Sequence, residues 1–110
     1  MQTLELKPER RVAERIELKR LAKVMHHPSH RYLPASTRNI STTGALIEVV
    51  TTRPLAAGDN LDVFVDFDDT KVLDNSNAVS ATIIRVQEWT DERQTIAIHF
   101  QDAIELKEAA

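Results

Sequence analysis

The 110-residue chain contains no cysteine, which excludes disulfides, thiolate metal sites and a cysteine nucleophile and leaves stability to packing alone. Glycine occurs only at Gly44 and Gly58. No G-x-S-x-G nucleophile elbow, Walker A phosphate loop or H-E-x-x-H metal motif is present. Aromatic residues are sparse: Tyr32, Phe64, Phe67, Trp89 and Phe100. A groove for single-stranded nucleic acid needs stacking platforms in a basic setting, and three of these five fall in strands of acidic character. With a pI near 5.8, nucleic acid is not an expected partner. No apolar run approaches the ~20 residues of a membrane span. The opening residues Met1 to Lys7 lack the apolar stretch of a secretory signal, so a cytoplasmic protein without membrane insertion is expected.

What is present is an ordinary globular balance, 42% hydrophobic and 28% charged, in a length that suits one domain. The net charge of −3 conceals an asymmetry. Residues 1–40 carry nine Lys/Arg against four Asp/Glu, and residues 41–110 carry five against thirteen. An anionic ligand would therefore meet the N-terminal portion. A solvated basic strand facing an acidic one accounts for the same split.

Along the chain, residues 1–15 read as a polar arm interrupted by Pro8. Ile16 to Met25 is ambiguous, because Leu18, Leu21, Ala22 and Met25 share a helical face while alternation through Ile16, Leu18, Ala22 and Val24 fits a strand. His26 to His30 is a turn around Pro28. Tyr32 to Ile40 fits a strand that Pro34 confines to an edge or a bulge. Ala45 to Thr52, rich in β-branched residues, is a strand, and Pro54 to Asn60 is a loop. Leu61, Val63, Val65 and Phe67 share one face of the clearest strand, with Asp62 and Asp66 on the other. An acidic loop over residues 68–77 follows. Strands are expected at Val79 to Trp89 and Thr95 to Phe100, with a turn at Asp91-Glu92-Arg93, then a short helix from Asp102. About six strands with short connections point to an all-β antiparallel barrel or sandwich. Closure into a barrel would remove its edges.

Two local patterns carry chemistry. Arg11 and Arg15 form R-x-x-x-R, with Arg10 in front. Asn39, Ser41 and Gly44 form N-x-S-x-x-G at the entrance to a strand. Guanidinium groups give paired hydrogen bonds to phosphates or to guanine O6 and N7, and stack flat on purines. An Asn amide oxygen accepts from a guanine edge, a Ser hydroxyl donates or accepts, and Gly permits a tight turn or close approach. Taken singly, the arginines could be i,i+4 neighbours on a solvated helix, and residues 39–44 an ordinary turn.

In this order and ahead of several strands, the two patterns resemble the PilZ domain family of bacterial receptors for cyclic diguanylate (cyclic-di-GMP). The resemblance implies a six-stranded antiparallel barrel over residues 16–110 with a short C-terminal helix, and a flexible arm over residues 1–15. It also implies that Ile16 to Met25 is a strand. Ala81 and Ala97 stand where the family often has glycine. The resemblance assigns Arg11, Arg15, Asn39, Ser41 and Gly44 to ligand binding, and adds Arg10, as in members that take a stacked pair of nucleotides. It implies a second-messenger receptor that signals to an effector protein. A PilZ-like adaptor that binds protein partners without nucleotide is the rival.

His26, His27 and His30 cluster, but on a Pro-containing turn they are expected to be solvated and not metal ligands. Asp66, Asp68 and Asp69 lack the Gly and distal Glu of a calcium loop. His99 has no nucleophile partner in the sequence. Neither a catalytic constellation nor a cofactor or metal site is expected.

Overall fold

The structure, a computed structural model, describes residues 16–17, 19–65, 78–102 and 104. Seven strands lie among them: β1 (Ile16–Glu17), β2 (Leu21–His26), β3 (Arg31–Ile40), β4 (Gly44–Val50), β5 (Asn60–Val65), β6 (Val79–Val86) and β7 (Arg93–Phe100). All pairings are antiparallel. The order β3-β2-β5-β6-β7-β4 closes on itself through β3–β4, giving a six-stranded barrel with β1 added to β3. The expected arm over residues 1–15, the acidic loop and most of the C-terminal helix fall outside the described residues, and none of the described residues is helical.

Alternation explains the interior. Val24, Leu33, Ile40, Ile47, Val49, Leu61, Val63, Ile83, Ile96 and Ile98 are almost fully buried and fill the barrel with branched side chains. Leu61, Val63 and Val65 point inward together, as their spacing implies. Phe64, on the opposite parity, is also buried. Its ring centroid lies 6.2 Å from that of Tyr32. The Lys23 ammonium sits 4.9 Å from each ring. Lys23 is the register partner of both Phe64 and Pro34, so three neighbouring strands bring this cluster together. Pro34 lies one residue outside the β3–β4 ladder, which begins at Ala35 and Val49. There its missing N–H costs no cross-strand bond on that side.

The segment expected as one strand from Ile16 to Met25 is two. At Arg20 the chain leaves the ladder, where the Arg20 amide donates to Thr37 Oγ1 (2.8 Å) and the Thr37 amide donates to the Arg20 carbonyl (2.9 Å). Thr37 is completely buried, so its hydroxyl takes over part of the lost ladder. Likewise β4 ends at Val50 and β6 at Val86, earlier than the β-branched runs imply.

One barrel end is plugged by the 51–59 loop. Gln94 is buried, and its Oε1 accepts the Leu55 amide (2.7 Å) while its Nε2 donates to the Gln87 carbonyl (3.0 Å). Gln94→Leu removes both partners and is expected to cost about 2 kcal/mol, a fall in Tm of roughly 10 °C by calorimetry. The β6–β7 hairpin turns through Asp91 and Glu92, both at positive φ (56° and 61°). Neither is glycine, the residue that this backbone favours. Glu92→Gly is therefore expected to stabilise by about 0.5–1 kcal/mol, read as a higher urea midpoint.

Candidate functional site

The other barrel end carries the N-x-S-x-x-G residues. β3 bulges between Thr37 and Asn39, which shifts the register before the strand ends at Ile40. Asn39 is half-buried and pairs with Leu46 of β4 on one side and Glu17 of β1 on the other. Arg38, at the bulge, has a guanidinium nitrogen 4.0 Å from Glu48, an exposed and weak ion pair.

Ser41 and Gly44 close the β3–β4 turn on each other. The Ser41 amide donates to the Gly44 carbonyl (2.8 Å). Ser41 Oγ accepts from the amides of Thr43 (3.3 Å) and Gly44 (3.2 Å) and donates to the Gly44 carbonyl (3.2 Å). Only 4% of Ser41 is exposed. Its hydroxyl is thus engaged within the turn, a local side-chain-to-backbone motif that fixes the path into β4.

Gly44 does not have positive φ. Its reason is proximity: a Cβ at this position would collide with the Ile98 carbonyl oxygen of β7. The close approach that the sequence left open is therefore to the protein's own backbone. The same turn holds the chain that follows β7, since the Phe100 amide donates to the Thr43 carbonyl and the Ile104 amide to the Thr42 carbonyl, both at 2.8 Å.

Asn39, Ser41 and Gly44 are accordingly brought together at one rim of the barrel. Arg10, Arg11 and Arg15 lie outside the described residues. The chain carrying them enters the described structure at Ile16, whose register partner is Ile40, between Asn39 and Ser41. Thr37 and Arg20 shape this rim, and in the sequence Arg20 shows only the parity that it shares with Leu18 and Ala22.

Of the remaining candidates, His26 and His27 lie against carboxylates on the flank of the barrel, and Asp66, Asp68 and Asp69 fall outside the described residues. His26 Nε2–H donates to Asp59 Oδ2 (2.8 Å), and in the neutral ring Nδ1 accepts the Ser29 hydroxyl (2.8 Å). His27 Nε2 lies 3.1 Å from Asp62 Oδ1. The His26 bonds tie the β2–β3 turn to the residue before β5, whereas His27 Nε2 approaches Asp62 without a hydrogen bond. Among the described residues no three His, Cys, Asp or Glu side chains converge as metal ligands, and no helix is long and apolar enough to cross a membrane.

A family model for the PilZ domain matches residues 9–109. Among solved structures, the chain is similar to the Bacillus subtilis inhibitor of motility, MotI/DgrA, with a TM-score of 0.66 and 12% identity. That similarity covers 88% of this chain and 45% of the other, so this chain spans a little under half the length of that protein. At such identity the likeness speaks for the fold. No curated protein matches the chain.

Proposed function

The chain belongs to the PilZ domain family, receptor and adaptor modules rather than enzymes, and from that premise we propose that it is a receptor for cyclic diguanylate. The observation that supports this reading most is the β1–β3 pairing. Ile16 directly follows Arg15 in the chain and is the register partner of Ile40, which stands between Asn39 and Ser41. The strand that follows R-x-x-x-R directly in sequence is thus paired at the rim that carries N-x-S-x-x-G, about two dozen residues further on.

In this proposal Arg11 and Arg15 supply paired, charge-assisted hydrogen bonds to the phosphodiesters and flat faces for the guanines. Arg10 adds a further guanidinium for a second, stacked nucleotide. Asn39 reads a guanine edge through its amide. Ser41 and Gly44 act through the backbone shape that they impose on the turn, since the Ser41 hydroxyl is already engaged and Gly44 abuts β7. The segment from Lys7 to Arg15 closes over the nucleotide, and an effector protein recognises the remodelled surface.

Calorimetric titration of cyclic diguanylate into the purified protein, with GTP as control, tests the reading. Saturable binding selective for the cyclic dinucleotide is expected, and its equivalence point gives the stoichiometry. No heat at high ligand concentration would leave the adaptor reading in its place. Limited proteolysis tests closure separately. Cleavage after Arg10, Arg11 and Arg15 is expected to slow when ligand is saturating, and an unchanged digestion pattern removes the closing step.

A further inference from the structure

At the end of the barrel opposite the N-x-S-x-x-G turn lies a pocket of about 250 Å³. Its walls are the β2–β3 turn with the start of β3, and the loop that follows β4. Leu33 and Leu55, both buried, lie at its base, with Pro28 and Pro54 also lining it. Two arginines line it from separate elements, Arg31 at the first residue of β3 and Arg53 in the loop. Arg31 shares parity with the inward-facing Leu33 and Ala35, which sets it at the rim of the barrel interior.

The charge balance of this pocket is unlike that of the chain. Acids outnumber bases seventeen to fourteen overall, yet no carboxylate is among the described residues that line the pocket. Neither Arg31 nor Arg53 has an ion pair among the described residues, whereas Arg38 and Arg93 both approach Glu48. His26, also in the lining, is already held by Ser29 and by Asp59. Two like charges beside one concavity repel each other and focus a positive potential into it, and an anion relieves both.

The walls are held before any ligand arrives. Thr51 Oγ1 donates to the Arg53 carbonyl (2.7 Å) and accepts the Arg53 amide (3.3 Å). The Leu55 amide is bound by Gln94 (2.7 Å), and the His30 amide donates to the His26 carbonyl (2.8 Å). A preformed pocket avoids the ordering cost of binding.

We propose that this pocket is a second binding site, for a small organic anion that carries a carboxylate or phosphate on a short apolar body. The anionic group bridges Arg31 and Arg53 while the body rests on Leu33 and Leu55. The volume corresponds to about eight waters, the scale of a single-ring acid. β3 runs up to about 30 Å from Arg31 to the rim at Ile40, so the site is separate from the proposed nucleotide site and does not depend on it.

The test is an amide-resolved NMR titration of the full chain with phenyl phosphate, benzoate and neutral benzamide as probes. Saturable millimolar shifts at Ser29, Arg31, Thr52 and Arg53 are expected with an anion and not with benzamide. Arg31→Gln and Arg53→Gln are each expected to weaken the response about tenfold, with thermal melting unchanged because both side chains are exposed. A response to phenyl phosphate alone assigns a phosphorylated ligand, and to benzoate alone a carboxylate. Saturating cyclic diguanylate leaves the titration unaltered. Three outcomes overturn the proposal: no saturable shift with either anion, an equal response to benzamide, or binding undiminished in both variants.

Discussion

Arg15→Ala is expected to weaken cyclic diguanylate binding by about a hundredfold, the largest effect of any single substitution on ligand affinity. A guanidinium on a phosphodiester makes charge-assisted bonds that contribute about 1.5–3 kcal/mol each. About 2.7 kcal/mol corresponds to a hundredfold change in Kd. Arg15 should exceed Arg10 and Arg11 in effect, because it directly precedes the strand paired with Ile40 and is thus the most closely tethered of the three. Its loss leaves the barrel intact, since the arginine segment precedes every strand described. The calorimetric comparison therefore needs a thermal melt alongside, with an unchanged Tm expected. Arg15→Lys should restore charge without the planar fork and recover only part of the affinity. If Arg15→Ala binds as tightly as the native chain, the arginine clamp is not the basis of recognition.

Gly44→Ala is the second large effect, and it is expected on stability. The added Cβ meets the Ile98 carbonyl oxygen, a backbone atom that cannot swing aside like the end of a side chain. β4 and β7 pair over seven residues from Gly44–His99 to Val50–Arg93, so relief requires the ladder itself to part. Overpacking of this kind costs about 1–3 kcal/mol, and a backbone collision belongs at the upper end. A fall in Tm of roughly 10–20 °C is expected by scanning calorimetry. Gly58→Ala makes a useful contrast, because its Cβ would meet nothing within 4 Å while its φ of +98° strains any other residue. There the cost is conformational, about 1 kcal/mol. An unchanged Tm for Gly44→Ala would show that the collision is relieved by a small local shift of β7.

These two expectations divide a motif that reads as one unit in sequence. The spacing of Asn39, Ser41 and Gly44 locates a functional rim, but it assigns no task to each residue. Ser41 has the hydroxyl that a ligand could use, and in the barrel that hydroxyl serves the turn. Gln94 reads as an ordinary polar residue at the start of a strand, yet it holds the plug at the far end. Phe64 has the parity of a solvent-facing residue and is buried beside Tyr32 and Lys23, contributed by two neighbouring strands.

The sequence by itself determined the class of the protein: an all-β domain whose core follows from period-2 alternation, with arginines ahead of an N-x-S-x-x-G turn. Those features are local, set by neighbours one to five residues apart, and local patterns survive without knowledge of the fold. Only the tertiary structure decided where Ile16 to Met25 breaks, why position 44 is glycine and which end of the barrel gathers Arg31 and Arg53 at one pocket. Each of these depends on contacts between segments distant in the chain: Arg20 with Thr37, Gly44 with the Ile98 carbonyl, and Arg31 and Arg53 in the lining of one pocket. Register is set when the barrel closes and every inward row must pack against the others at once.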